Sequence, residues 1–291
     1  MSSTRREFIA LAAAAAVPAT PAGKPPLCLF SKHLPKLNYD ELGKTLKQIG
    51  FDGVDLTVRA QGHVLPERAA QDLPRAVDTI RSHGISVPMI TTGLLAASES
   101  PARPTLQTAA RLKIPYYKVG YYRYKGADPD KTIADVRRQV QSLVDLNKEY
   151  GIEAGLHNHS GDYVGTAIWD TRAIIADMDP KWIGYYFDPC HATAEGGLYV
   201  WQLGMQVALK RLKMVALKDF YWEKQNGRWR MKMCPLGEGM VDWQKVFKML
   251  AEAKFAGPLS LHVEYDPPDE PAAIAKDFEF MRKQVNLAFG S

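Results

Sequence analysis

Cysteine is scarce in this 291-residue chain, which has only Cys28, Cys190 and Cys234, far apart. No Cys-x-x-Cys pair occurs. That excludes a disulfide-stapled scaffold and the common cysteine zinc motifs, so we read the three as separate thiols. Long apolar runs are missing too: the alanine-rich stretch near the N-terminus is too short to span a bilayer. After residue 23 there is no low-complexity segment and no linker. Charge of one sign is not concentrated either. The net charge is +5, and the tight basic runs are short, such as Arg137-Arg138. A nucleic-acid footprint needs a denser patch, so no nucleic-acid partner is expected. No Gly-x-Gly-x-x-Gly turn follows the first apolar run, which argues against a nucleotide cofactor. The balance of 46% hydrophobic and 24% charged residues is that of an ordinary globular protein.

What is present begins at the N-terminus. Arg5-Arg6-Glu7-Phe8-Ile9 leads into Leu11 to Val17, and Pro18-Ala19-Thr20-Pro21-Ala22 follows. A charged head, a short apolar core and a small-residue exit predict a signal peptide over residues 1–22, cleaved near Ala19 or Ala22. The paired arginines match a twin-arginine export signal. The expectation is an exported protein, periplasmic or extracellular, with no stable membrane insertion after cleavage and with its fold in residues 23–291.

The remainder alternates. Apolar runs of strand length lie at 26–31, 53–58, 86–92, 115–122, 152–157, 183–188, 214–219 and 258–264. Between them, apolar residues recur at helical spacing over Tyr39–Ile49, Leu73–His83, Thr132–Tyr150, Val241–Ala253 and Ala272–Leu287. Gly50, Gly84 and Gly151 stand at helix ends, where a stop signal belongs. Eight strand-length runs alternating with helices predict a single-domain α/β protein, a (β/α)8 TIM barrel, in preference to a doubly wound open sheet. Active sites in that fold sit at the C-terminal ends of the strands.

Polar residues collect at those ends. The first run leads into Ser31, Lys32 and His33, and the second into Asp55, Thr57 and Arg59 with His63 beyond. The fourth carries Lys118, then Tyr121 and Tyr122. The fifth ends in His157 and His159, on one face, with Asn158 on the other. Asp188 ends the sixth, with His191 in the turn, and Lys218 and Asp219 end the seventh. Ser260, His262 and Glu264 share one parity at the eighth. Buried without partners, so many polar groups would be costly. Histidines and carboxylates from separate strands are the usual holders of a divalent metal.

The chain resembles the sugar phosphate isomerase/epimerase family, the xylose-isomerase-like barrels, across nearly all of residues 26–288. The resemblance rests on Gly50-Phe51-Asp52-Gly53-Val54-Asp55, Phe187-Asp188-Pro189-Cys190-His191, Leu217-Lys218-Asp219, Gly237 to Trp243, and Phe255 to Ser260. It implies one divalent metal held by glutamate, aspartate, histidine and glutamate from the fifth to the eighth strands. In this chain Asp188 matches the aspartate. His157 stands at the first glutamate position, Ala216 at the histidine, and His262 at the last glutamate, with Glu264 two residues on. The resulting metal candidates are His157, Asp188, His262 and Glu264, for Mn, Zn, Mg or Fe. Lys218, on the face of Ala216, is the candidate to take the cation's place in a metal-free site.

The chemistry implied is proton transfer next to a carbonyl of a sugar or keto-sugar, by an isomerase or epimerase. Such a reaction needs a base, an acid and a group to hold the enediolate. Glu264 and His157 are the candidate bases and Lys218 the candidate oxyanion stabiliser. His159, His191, Lys118, Tyr122 and Arg59 are the candidate substrate contacts. A keto-sugar or glycoside lyase or dehydratase opens with the same step and is the alternative, beside a non-catalytic sugar-binding barrel. The expected partner is a small sugar, and a homo-oligomer is compatible with the chain.

Overall fold

A computed structural model describes residues 23–126 and 128–290. The signal peptide expected over 1–22 lies outside the described residues. Eight parallel strands close into a barrel: β1 (Leu27–Phe30), β2 (Gly53–Val58), β3 (Ser86–Thr92), β4 (Tyr116–Lys118), β5 (Glu153–His157), β6 (Ile183–Phe187), β7 (Leu212–Leu217) and β10 (Leu259–Leu261). Around the ring the order is β1-β10-β7-β6-β5-β4-β3-β2. The helices are α1 (Tyr39–Ile49), α2 (Ala69–Ser82), α3 (Ala102–Arg111), α4 (Pro129–Tyr150), α5 (Ile168–Ile175), α6 (Pro189–Leu209), α7 (Trp243–Glu252) and α8 (Glu270–Phe289). None is long and apolar enough to cross a membrane.

Local chemistry sets the ends of these elements. Asn38 caps α1 by accepting from the backbone N–H of Asp40 and Glu41, and Glu41 reaches back to the Asn38 N–H. Gly50 and Gly151 then stop α1 and α4 with φ of 108° and 73°. Leu42 and Leu46 bury the inner stripe of α1 completely, each stabilising by about 1.5–3 kcal/mol. Inside the barrel a small cluster of Met89, Tyr186, Met214 and Ala216 fills the interior. Gly155 of β5 is what admits it: a Cβ there would lie 2.4 Å from Met214 Cε and 3.0 Å from Tyr186. All three cysteines are free and buried.

The structure departs from the expected elements in three places. A β-hairpin, β8 (Asp219–Gln225) and β9 (Arg228–Cys234), is inserted after β7. Its turn, Asn226-Gly227, has φ of 51° and 78°, the primed-turn signature that these two residues announce. Helices α3, α5 and α6 also escape the periodicity. Prolines open α3, α5 is short, and α6 bends at Gly197, whose φ of 57° and ψ of −147° are not helical. The fourth and eighth runs, finally, contribute only three ladder residues each, so Tyr121, Tyr122, His262 and Glu264 sit beyond the strands.

Asp219 ties the hairpin to the barrel. Its buried carboxylate accepts from the N–H of Gly237 (3.0 Å) and Val241 (3.2 Å) and from Trp243 Nε1 (2.8 Å). Asp219→Ala strands the buried N–H donors of Phe220, Val241 and Trp243 and is expected to destabilise the fold by about 3 kcal/mol or more in denaturant unfolding. A loss below about 1 kcal/mol would contradict this role.

Candidate active site at the barrel mouth

Strand alternation turns the sequence His157-Asn158 into two different tools. Asn158, buried on the outer side, clamps the backbone of Asp188. Its Oδ1 accepts from the Asp188 N–H (2.8 Å), and its Nδ2 donates to the Asp188 carbonyl (2.9 Å). Asp188 caps α6 at the same time, with Oδ1 accepting from the His191 N–H at 3.1 Å. Backbone and one carboxylate oxygen are thereby fixed, and Oδ2 is left for the site. The importance of Asn158 was not legible as chemistry. Its only signal was the opposite parity within His-Asn-His.

Three groups converge on Asp188 Oδ2. Lys218 Nζ and His157 Nε2 each lie 3.2 Å away, and His191 Nε2 lies at 3.8 Å. All four side chains are buried. Burial would raise the Asp188 pKa, but Lys218, His191 and His157 outweigh it and hold the carboxyl well below its usual range. Burial likewise works against charge on Lys218, yet Asp188 and Glu264 raise its pKa and keep it an ammonium. His157 is pulled down to about 3 by burial, against the pull of Asp188. It is thus a neutral imidazole whose Nε2–H donates to Asp188, while Nδ1 has no hydrogen-bond partner.

A second chain of contacts runs beside the first. The fully buried Asp55 accepts from Thr91 Oγ1 (2.7 Å), Ser260 Oγ (2.9 Å) and the Tyr186 hydroxyl (3.1 Å). The same tyrosine oxygen is 2.9 Å from His262 Nε2, and the His262 ring stacks on Phe30 at 4.5 Å. His262 Nδ1 faces Glu264 Oε1 at 3.7 Å, and Glu264 Oε2 accepts from Lys32 Nζ at 2.8 Å. Burial would raise the Glu264 pKa, but His262, Lys218 and Lys32 overcome it and keep the carboxylate ionised.

Both clusters open on one cavity at the barrel mouth. Its walls include His157, His159, Lys218, His262, Glu264, Lys118 and Arg59. Two expected substrate contacts lie elsewhere. Tyr122 turns into the core, its hydroxyl donating to the Leu95 carbonyl, and Tyr121 takes the cavity wall instead. His191 sits behind the wall, with Nδ1 at Ser160 Oγ (3.0 Å) and its ring against His159 at 4.0 Å.

Of the four expected metal ligands, the structure joins His157 and Asp188. It adds His191 as the third, with donor atoms all within 4.8 Å of one another. His262 and Glu264 stay in their own pair, and the buried Ala216 offers no donor. Two imidazoles and a carboxylate suit a divalent ion by donor type. By charge they do not fit one, because the carboxylate oxygen they share is already in contact with the Lys218 ammonium. A dication would have to displace that ammonium, because at about 4 Å the two repel by roughly 8 kcal/mol at an effective dielectric of about 20, about half of what the carboxylate would return.

A profile of the xylose isomerase-like TIM-barrel family matches residues 44–284. An inosose dehydratase of Geobacillus thermodenitrificans is 30% identical over 158 residues, 50% of this chain and 49% of its own length. The chain thus spans about half the length of the curated relatives it matches. Among solved structures, the 3-keto-D-glucoside 4-epimerase of E. coli superposes with a TM-score of 0.70 at 14% identity, covering 89% of this chain and all of its own. A xylose isomerase-like barrel of Mycobacterium smegmatis, solved with magnesium, gives 0.68 at 14% identity, over 92% and 98% of the two chains. At such identities these structures speak for the fold.

The buried imidazoles set a pH signature. His33 and His157 both sit near 3, chiefly through burial, whereas an unfolded imidazole takes its proton at about 6.5. The stability they contribute is full above about 6.5 and is lost as the pH falls toward 3. In NMR titrations the ring resonances of both are expected to stay at neutral-imidazole positions from about pH 8 to about pH 5. A His157 midpoint near 6.5 would contradict the neutral assignment.

Proposed function

The chain belongs to the xylose isomerase-like TIM-barrel family, and from that premise we propose that it is an enzyme moving a proton at the carbon next to a carbonyl of a sugar or keto-sugar. One observation carries the reading: a neutral imidazole and a fixed ammonium share one buried carboxylate at the wall of the cavity in the barrel mouth. Lys218 donates to the carbonyl oxygen and holds the negative charge that develops there. His157 Nδ1 takes the proton as the C–H bond breaks, and the electron pair moves to that oxygen. Asp188, against Nε2, stabilises the imidazolium that results. Glu264, kept ionised on another wall, takes a proton from a substrate hydroxyl and returns it to that oxygen or to the opposite face of the reacting carbon. Lys218 supplies the positive charge, so no step requires Mn, Zn, Mg or Fe.

The fate of the enolate decides the reaction class. Return of the proton to the other face is epimerisation, and return to the neighbouring carbon is isomerisation. Loss of a hydroxyl is dehydration, a second reading favoured by relatives named inosose dehydratase. The Arg5-Arg6 leader supports placing the reaction outside the cytoplasm.

Incubation with ketoses and 3-keto-glycosides in heavy water is expected to wash deuterium into the carbon beside the carbonyl. His157→Gln and Glu264→Gln should each slow the exchange by about a hundredfold or more while sparing the fold. Exchange with no member of the panel would favour a sugar-binding barrel without catalysis. A variant exchanging at the wild-type rate would remove its residue from the mechanism.

A further inference from the structure

The cavity wall carries four cations, and their partners are unevenly shared. Lys32 pairs with Glu264 at 2.8 Å and Lys218 with Asp188 at 3.2 Å. Arg59 and Lys118 have no carboxylate partner among the described residues. Lys118 is only 3% exposed. Its ammonium lies 3.3 Å from the centre of the Tyr121 ring, and the Arg59 guanidinium lies 5.4 Å from that of Phe30. Aromatic faces attract cations without neutralising them. The nearest buried carboxylate, Asp55, is engaged by the hydroxyls of Thr91, Ser260 and Tyr186.

An ammonium buried without an anion is costly, and nothing in the folding of the barrel requires one here. We propose that Arg59 and Lys118, on the strands either side of β3, form an anion subsite, so that the substrate carries a carboxylate or phosphate group. The two residues come from the ends of β2 and β4, flank β3 and both line the cavity. In the ring order β3 stands opposite β7, whose end carries Lys218. The anionic group of the substrate therefore binds across the mouth from the proposed reacting carbonyl. Lys118 is consistent with this vacancy of charge: burial, then Arg59, brings its pKa down to about 7, and a bound anion reverses that shift. The inference rests on reading the cavity as the substrate site.

Calorimetric titration at low ionic strength tests it, with D-glucuronate, D-glucose 6-phosphate, inorganic phosphate and D-glucose as probes. At least one charged sugar is expected to bind about tenfold or more tighter than D-glucose. The better of the two identifies carboxylate or phosphate as the group recognised. Arg59→Gln, at a half-exposed position, should weaken the charged probes about tenfold and leave D-glucose unchanged. Lys118→Met should remove the remaining preference, with its melting curve checking the fold. Charged sugars binding no tighter than D-glucose, or Arg59→Gln leaving their affinities unaltered, would overturn the subsite. Exchange restricted to neutral keto-sugars would keep the reaction and remove the subsite, whereas anion binding without exchange would do the reverse.

Discussion

The Asp188 carboxylate is wholly buried, and the barrel mouth is built around its charge. The last residue of β6 is followed directly by this aspartate, whose own capping bond starts α6. Asn158 grips its backbone from β5, so two strands and a helix are fixed at one point. Only then does Oδ2 have a defined position for Lys218 and His157 to meet. Removing one partner from a buried pair of this kind typically costs about 3–5 kcal/mol, because a charge is left unpaired. Side-chain orientation, protonation state and charge at the site all follow from this contact.

The same contact explains how a family site can be rewritten. The resemblance implies an acidic ligand set around a dication. By that resemblance His157 stands at one glutamate position and His262 at another, while Ala216, packed in the barrel interior, offers no donor and Lys218 supplies a cation. The two histidines in place of glutamates remove negative charge and Lys218 supplies a positive one, so that a carboxylate is matched to an ammonium in place of several carboxylates to a metal. The bonding of His262 to Tyr186 and Asp55, and of Glu264 to Lys32, belongs to the same redistribution. It also leaves Arg59 and Lys118 as the two cations with no protein anion.

Much of this was legible before the fold was known. Alternating apolar runs and glycine stops marked the eight barrel strands, and strand ends marked the face on which Lys218, Asp188 and His157 meet. Pairing within that face was not legible. Whether Asp188 meets His191 or His262 depends on loop paths after the ladder ends, and residue parity carries no information there. Tyr121 and Tyr122 show the difficulty: beyond Lys118 the chain leaves the strand, and the neighbour of the expected tyrosine faces the cavity. The inserted hairpin had a readable turn, Asn226-Gly227, and its second strand alternates Trp229, Met231 and Met233 with basic residues, but neither strand is the continuous apolar run by which the barrel strands announce themselves.

The central claim is that Lys218 is the cation of the site. Elemental analysis of protein purified without chelators, then incubated with Mn, Zn, Mg and Fe salts and desalted, tests it most directly, with Lys218→Met run alongside. The account predicts no stoichiometric divalent ion on the wild-type protein and gain of one when Lys218→Met frees the Asp188 carboxylate. One tightly held ion per wild-type chain, lost on mutation of His157 or Asp188, would contradict it.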